Sequence, residues 1–222
     1  MGYVLTEEQQ FLKDAAQDLY KKVPVAAVRD MRDAKDANGF STALWQEMID
    51  SGWPGVAVAE EKGGLDFGIR SLGILMEESG RTLTASPLLS TVVGAMVIEK
   101  YASVAHHSIL VSLIEGKAVL ALGLQEGNFY NPKKCTSSIA EGNGNLVLNA
   151  SKSMVADAHV AEHIIINAST PSGNVLALVK KDAPGVSIEN DFLMDSRYYG
   201  RINCTDVAIQ QEDIIVLSLI HI

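Results

Sequence analysis

The sequence predicts an α+β protein in which an all-α N-terminal domain precedes a small antiparallel β-barrel or sandwich domain. Two features lead to this fold class. Apolar residues recur at helical spacing up to residue 116, and beyond it the apolar runs shorten and are separated by Gly, Pro, Asn and Asp. Helices that precede strands, rather than alternate with them, argue against a Rossmann sheet. We therefore expect a helical domain over residues 1–116 and a β domain over residues 117–216.

The helical part contains five amphipathic stretches with recognisable ends. Thr6 and Gln9 form a capping-box pattern before the first stretch. Ser41 can cap the second stretch, Gly52 is placed to end it, and Pro87 suits the first turn of the fourth. The predicted apolar stripes are Phe11, Leu12, Ala15, Ala16, Leu19 and Tyr20; Leu44, Trp45 and Met48; Leu72, Leu75, Met76 and Leu83; Leu88, Leu89, Val92, Val93, Met96, Val97 and Tyr101; and Ile109, Leu110, Leu113 and Ile114.

The β part is predicted from short apolar runs bounded by turn residues. The segments 141–144 (EGNG) and 171–174 (PSGN) are typical of hairpin turns, because Gly and Asn adopt positive φ at little cost. The predicted strands cover residues 119–124, 146–149, 163–168, 175–179 and 202–209.

Composition and charge exclude several kinds of function. The net charge is −9, without the clustered Lys and Arg that a nucleic-acid groove or an anionic membrane surface requires. No stretch reaches the roughly 18 consecutive apolar residues of a membrane helix. Cys135 and Cys204 are far apart and are interpreted as buried free thiols. The histidine pairs at 106–107 and 159/163 lack further ligands nearby, so no metal site is predicted. We expect a cytoplasmic protein that binds no nucleic acid and does not insert into membranes.

Four ordered segments resemble the acyl-CoA dehydrogenase family. They are residues 5–10 (LTEEQQ), residues 52–64 (GWPGVAVAEEKGG), residues 77–81 (EESGR) with Ser86-Pro87, and residues 146–152 (LVLNASK). At family spacing they cover the chain from residue 3 to about residue 212. Family members have an N-terminal helical domain, a middle β domain and a C-terminal four-helix bundle, so the resemblance implies the same order here.

The resemblance also implies a reaction. It implies FAD-dependent α,β-dehydrogenation of an acyl-CoA thioester, from fatty-acid, steroid side-chain or dicarboxylic acyl-CoA catabolism. A carboxylate removes the α-proton, hydrogen bonds to the thioester oxygen stabilise the developing enolate, and the β-hydrogen leaves as hydride to the flavin. The expected partners are an electron-transfer flavoprotein or similar acceptor and further subunits of a homo- or hetero-tetramer. The base is expected in the C-terminal bundle, so no residue of this chain is predicted to be catalytic.

Two segments match the family's flavin-contacting loop and strand. In the loop, Glu126 aligns with the family Glu, Gln125 replaces Thr, and the "GSD" that should follow is absent. Leu124 and Gln125 can still offer backbone groups to a flavin. In the strand, Met154 replaces a Trp, and Ala156 replaces a Thr whose hydroxyl meets flavin N5. The predicted cofactor-binding residues are therefore Leu124, Gln125, Met154 and Ala156.

Substrate contacts are predicted at three positions. Leu88 and Leu89, at the start of the fourth helix, are candidates for one wall of the acyl pocket, with core packing as the alternative. Lys133 in the Lys133-Lys134 pair is a candidate for a CoA phosphate, with a solvated loop as the alternative. Glu77 and Glu78 lie on adjacent helix faces, and a capping or ion-pair role is expected for them rather than catalysis.

Two further interpretations stay open, and the departures at Gln125, Met154 and Ala156 favour the first of them. In one, the chain is a non-catalytic small subunit of a heteromeric acyl-CoA dehydrogenase whose partner supplies much of the flavin site and the base. Phe129-Tyr130-Asn131 resembles the corresponding segment of such subunits. In the other, the chain is a flavin monooxygenase of the same fold.

The last six residues have a separate explanation. CTG TCT CTT ATA CAC ATC, a transposon end used to prepare sequencing libraries, encodes residues 217–222 (LSLIHI). We therefore predict that residues 217–222 are a translated adapter and that the gene continues with the bundle.

Overall fold

The computed structural model describes residues 4–128, 131, 134–142 and 145–215. Helices come first and strands follow, so the predicted fold class is confirmed. The helices are α1 (Glu7–Tyr20), α2 (Val25–Ala34), α3 (Thr42–Asp50), α4 (Gly68–Arg81), α5 (Leu88–Tyr101) and α6 (His107–Ile114). The strands are β1 (Leu120–Gly123), β2 (Ser138–Gly142), β3 (Asn145–Ala156), β4 (His163–Thr170), β5 (Gly173–Lys180), β6 (Val186–Phe192), β7 (Tyr198–Ile209) and β8 (Ile214–Ile215).

The chain divides into two compact units. The first comprises Met1–Met96 with Val111–Lys117, and the second comprises Val97–Leu110 with Ala118–Ile222. The division passes through α5 and α6, whereas the sequence predicts a single boundary after residue 116. That boundary stays a prediction.

Two helix-start signals of the first unit are confirmed, whereas Pro87 directly precedes α5 and does not lie in its first turn. The Thr6 side chain accepts a hydrogen bond from the Gln9 amide while the Gln9 side chain accepts one from the Thr6 amide. Ser41 caps α3 through the Leu44 amide. Four members of the predicted stripes are wrong, because between 45% and 75% of their surface is exposed: Phe11, Leu83, Leu89 and Tyr101. Leu83 lies beyond the end of α4 with φ of 58°, so the helical period no longer applies to it.

Helix α2 was not among the predicted helices. Pro24 occupies its N-cap position without a side-chain hydrogen bond, and none of its residues is buried. Its apolar residues Val25, Val28 and Met31 do recur at helical spacing, but no capping side chain marks its start in the sequence.

The Gly63-Gly64 pair lies in a tight loop between α3 and α4. The Leu65 amide donates to the carbonyl of Gly55, and the Phe67 amide donates to that of Val56, so the chain doubles back on itself. Gly63 has φ of 92°, and a Cβ at Gly64 would overlap the Val58 carbonyl. Both positions therefore require glycine, for different reasons.

The strands of the second unit form one eight-stranded sheet in the described residues. Its order is β6-β7-β3-β2-β4-β5-β8, and β1 pairs with β4. The predicted antiparallel pairing needs correction at two places. β1 runs parallel to β4 from Leu120↔His163 to Gly123↔Ile166, and β2 pairs with β4 in parallel at Ser138↔Ser169, so the sheet is mixed. Ile164, Ile165 and Ile166 of β4 are completely buried, which places this strand at the centre of the apolar core. No helix in the described part of the chain is long and apolar enough to cross a membrane.

Three strands, β2, β6 and β8, were not predicted from the sequence. β2 (SIAEG) and β6 (VSIENDF) contain few apolar residues, and β8 has only two residues. β3 continues to Ala156, well beyond the predicted end at 149, because two irregularities in its pairing with β7 interrupt the sequence pattern without ending the strand.

Candidate functional site

A β-bulge in β3 displays Met154. Lys152 pairs with Ile202 and Val155 pairs with Gly200, so Ser153 and Met154 together oppose one residue of β7. Met154 has φ of 53°, a conformation that costs a non-glycine residue free energy, and its side chain is 48% exposed. The bulge turns an apolar side chain outwards from a strand whose neighbouring residues, Lys152 and Val155, are buried.

The segment after β1 lies directly against this bulge. The Ser153 amide donates to the carbonyl of Gln125 over 2.9 Å, and the Ser153 hydroxyl donates to the carbonyl of Gly127 over 2.6 Å. The Gln125 side-chain amide also reaches the Gly127 carbonyl, at 3.4 Å. The structure thus brings Gln125, one of the two predicted loop residues, beside the Met154 bulge, although Gln125 and Met154 are 29 positions apart in the sequence.

Ala156 ends β3, opposite Tyr199, and is half-buried. Asp157 follows with φ of 60° and makes an ion pair of 3.3 Å with Arg197. The Asp157 carbonyl accepts hydrogen bonds from the amides of Val160 and Ala161, which turns the chain away from the sheet. Ala156 therefore sits at the exit of the strand with a methyl group only.

Glu126 is the centre of a dense hydrogen-bond network. Its carboxylate accepts from the Thr136 amide (2.6 Å) and hydroxyl (2.6 Å), and from the Ser137 amide (3.0 Å) and hydroxyl (2.6 Å). The Lys152 ammonium lies 2.5 Å from the same carboxylate and 2.7 Å from Oδ1 of Asn167. The Lys152 side chain has no exposure, and that of Glu126 is 12% exposed.

This network determines the charge of Glu126. Burial raises the pKa of the Glu126 carboxyl, but the hydrogen bonds from Lys152, Ser137 and Thr136 together outweigh burial and hold the pKa well below its usual range. Glu126 is thus a fixed anion whose lone pairs are engaged, which suits it to holding structure and not to accepting a proton from a substrate.

The two cysteines are free thiols, as predicted, but only Cys204 is fully buried, while Cys135 is half-buried. Burial raises the pKa of the Cys204 thiol to about 11. Burial also raises the pKa of Cys135, whose Sγ lies 3.5 Å from the carbonyl of Asn167. Neither thiol has the lowered pKa of a reactive cysteine.

The two leucines that are predicted to contact the substrate differ in their burial. Leu88 is completely buried, as the core-packing alternative requires, and Leu89 is 49% exposed. Lys133 lies outside the described residues, as do Phe129 and Tyr130. The roles of Leu88, Leu89 and Lys133 stay predictions.

The ion-pair role expected for Glu77 and Glu78 is confirmed. Glu77 lies 3.1 Å from Arg81 on the exposed side of α4. Glu78 is 2% exposed and lies 3.2 Å from Arg81 and 3.7 Å from Lys13 of α1. The buried carboxylate therefore helps to join α1 to α4.

Sequence reasoning missed the roles of Lys152 and Asn167. One signal was present: Lys152 follows Leu148 and Ala150 at the strand period of two, which puts a charged residue on the inward face of β3. A charge on that face predicts a buried partner, but the period cannot identify it. Asn167 carries no comparable signal.

Comparison with known proteins gives the family. Residues 6–116, half of the 222-residue chain, match the family model described as acyl-CoA dehydrogenase, N-terminal domain. The Bacillus subtilis protein named Probable acyl-CoA dehydrogenase YngJ is 26% identical over 204 residues, covering 86% of this chain and 53% of that protein. The chain therefore spans about half the length of this curated relative.

Solved structures agree with the fold. A chain of the ChsE4-ChsE5 complex from Mycobacterium tuberculosis superposes with a TM-score of 0.87 at 22% identity, covering 97% of this chain and 58% of that one. A variant of the Tcur3481-Tcur3483 steroid ACAD superposes with a TM-score of 0.84 at 25% identity, covering 94% and 57% of the two chains. The family model and the order of helices and strands lead to one conclusion: the chain belongs to the acyl-CoA dehydrogenase family.

Proposed function

We propose that this chain forms the helical and middle β parts of an FAD-dependent enzyme that dehydrogenates an acyl-CoA thioester between its α and β carbons. The observation that carries the proposal is the contact between the Gln125–Gly127 segment and the Met154 bulge. This contact joins the two segments that resemble the family's flavin contacts. The apolar Met154 side chain points outwards from the strand, beside the loop segment that is hydrogen-bonded to it.

The residues present fit one side of a flavin ring. Met154 offers a half-exposed, polarizable apolar wall, and Ala156 nearby on the same strand leaves room beside it. The backbone of Leu124 and Gln125 would meet the polar edge of the ring. A bound flavin supplies the acceptor for the hydride that leaves the β-carbon. Ala156 has no hydroxyl, so the contact that the family threonine makes has to come from a backbone group or another chain.

The contacts of Glu126 and Glu78 favour a catalytic base that lies outside the described residues. Glu126 is engaged by five nitrogen and oxygen donors, and Glu78 is buried against two cations. A general base needs a carboxylate oxygen that can reach the proton it removes. We assign Met154, Gln125 and Leu124 to holding the cofactor, and proton abstraction to a carboxylate beyond the described residues.

A second function is favoured by a specific observation. Gln125 and Ala156 replace two hydroxyl-bearing residues, and the Gln125 side chain turns back to Gly127. These features suit a non-catalytic subunit that shapes a flavin and substrate site shared with a partner. The ChsE4-ChsE5 complex, which contains a chain of this fold, is named as an assembly of two proteins. A tetramer, homomeric or heteromeric, and an electron-transfer flavoprotein as acceptor belong to this proposal.

The experiment is flavin analysis of the full-length gene product, purified alone and after co-expression with any adjacent family member. The dehydrogenase proposal expects a yellow protein whose flavin is bleached anaerobically by an acyl-CoA, tested with fatty, steroid side-chain and dicarboxylic thioesters. The subunit proposal expects flavin and bleaching only in the co-expressed complex. A colourless protein in both preparations would contradict both proposals.

Two matched methionine variants test whether Met154 contacts the flavin. Met154→Ala should weaken FAD binding about tenfold, because the apolar contact is lost at the ring. Met194→Ala removes an equally long side chain that is fully exposed in the β6–β7 turn and should leave the FAD Kd unchanged. Equal Kd values for the two variants would remove Met154 from the cofactor site.

A further inference from the structure

We propose that Glu126 and Lys152 are positioning residues, which hold the Gln125–Gly127 segment against the Met154 bulge and thereby determine how tightly FAD binds. This inference rests on the proposed function. It concerns residues that touch neither substrate nor cofactor in that proposal but act through their neighbours in the chain.

The sequence positions of the pair are the first step. Glu126 lies between Gln125 and Gly127, whose carbonyls accept the two hydrogen bonds from Ser153. Lys152 directly precedes Ser153. The ion pair therefore joins the same two segments one residue away from these hydrogen bonds, so a shift of either charged group moves the atoms beside Met154.

The attachment of Lys152 is the second step. Its ammonium binds Glu126 and also Oδ1 of Asn167, which belongs to β4, a strand at the centre of the apolar core. The loop segment is thus fixed to two strands through a single buried cation. Two directed bonds to a charged donor define a position more closely than apolar contacts of the same area.

The remaining bonds of Glu126 are the third step. Thr136 and Ser137 bind the same carboxylate from ten and eleven residues further along the chain. Glu126 consequently anchors the approach to β2 as well as its own segment. Without the Lys152 contact these bonds persist, but the segment is no longer tied to β3 through a charged group.

The cost of burying charges suggests that the Glu126–Lys152 ion pair serves to position the chain and not to stabilise the fold. Burying an ammonium and a carboxylate is costly, and replacing a buried ion pair by neutral residues of similar size often leaves a protein as stable or makes it more stable. Removing one partner alone leaves an uncompensated charge. Stability and positioning can therefore be separated experimentally by comparing single and double variants.

The test uses the full-length gene product, with its partner subunit if FAD binding requires one. Lys152→Met should lower the melting temperature and weaken FAD binding. The double variant Glu126→Gln/Lys152→Met should recover part of the melting temperature, because no unpaired charge is left and the carbonyl oxygen of the introduced amide still accepts from either Thr136 or Ser137, although its NH2 group cannot accept from the other. Its FAD Kd, measured by quenching of flavin fluorescence, should stay at least about tenfold above the wild-type value, with a shifted visible spectrum of the bound flavin.

A milder variant covers the case in which the double variant does not fold. Ser153→Ala removes only the hydroxyl bond to Gly127, and we expect a several-fold rise in Kd with little change in melting temperature. Ser151→Ala is its control, because the Ser151 hydroxyl lies on the same strand and binds Asn203 instead, at 2.9 Å.

The outcomes distinguish the two proposals. If the wild-type protein binds no FAD, alone or with its partner, the proposed function fails and this inference with it. If the wild type binds FAD and the double variant regains both stability and wild-type Kd, the pair is merely structural and the positioning role is overturned. If only Ser153→Ala is measurable and its Kd equals that of Ser151→Ala, the positioning role is overturned as well.

Discussion

Individual residues of the second unit are held by charge and by backbone conformation. Glu126 keeps its charge because Lys152, Thr136 and Ser137 donate to it in a site with little access to solvent. Met154 keeps an unfavourable φ because the bulge around it is tied to Gln125 through Ser153. Both features store free energy at the place where the cofactor residues were predicted, which is typical of preorganised binding sites.

The lowered pKa of Glu126 predicts how stability depends on pH. In the unfolded chain a glutamate has a pKa of about 4.3, and in the folded protein Glu126 stays ionised well below that pH. Its contribution to the free energy of unfolding is complete above the unfolded pKa and is lost as the pH falls towards the folded pKa.

We therefore expect the free energy of unfolding of the wild type to fall more steeply below about pH 4 than that of Glu126→Gln, by at most about 1.4 kcal/mol per pH unit. Urea unfolding at a series of pH values measures both slopes. The two proteins share every other carboxyl group, so the difference isolates Glu126. Parallel curves would mean that Glu126 titrates normally.

Two strands and one turn of the fold depend on close contacts between segments of the backbone. Two irregularities in the β3–β7 pairing change the direction of the strands, and the hydrogen bonds between Asn149 and Asp206 close one of them. In the first unit the turn at Gly63-Gly64 connects α3 to α4 and leaves no room for a side chain at Gly64. The family segment 52–64 is thus explained by packing.

Substitution of Gly64 tests this turn. Gly64→Ala should lower the free energy of unfolding by about 1–3 kcal/mol, because the new methyl group meets backbone that has to move. Gly80→Ala is the control within α4, where nothing lies within 4 Å of the added Cβ. It should raise the free energy of unfolding by up to about 1 kcal/mol through helix propensity. Equal changes in the two variants would contradict the packing explanation.

At the scale of the whole molecule, the described residues supply only part of the proposed site. In that proposal they offer one side of a flavin ring, through Met154 and the segment at Gln125, while Glu78 and Glu126 are both engaged by cations. The match to this chain covers only 53% of the Bacillus subtilis relative. A site built from parts of a longer polypeptide, or of two subunits, is the proposal that these facts support.

We predict that residues 1–222, expressed alone, neither retain FAD nor dehydrogenate acyl-CoA. The physical reason is that a flavin held on one side stays exposed to water, and that the α-proton needs a positioned base. Absorbance of the purified chain and anaerobic reduction by acyl-CoA check both statements. A yellow chain that any acyl-CoA bleaches would contradict the prediction.

Much of the fold could be predicted, for reasons that differ between elements. α1 and α3 begin at Thr6 and Ser41, as predicted, because capping is a local interaction. α2 was missed because no capping side chain marks its start, and β6 because most of its residues are polar. The parallel pairing of β1 with β4 could not be predicted, since strand order depends on contacts between residues more than about 40 positions apart.

The sequence by itself determined the order of helices and strands, the helix caps and the family, because each depends on local spacing or on motifs within a few residues. Only the tertiary structure decided that Lys152 is the partner of Glu126 and that Ser153 binds the Gln125 segment. It also decided that Met154 faces outwards on a bulge. These contacts join β3 to a segment 26 residues earlier, and a buried charge shows in sequence that it needs a partner without showing which one.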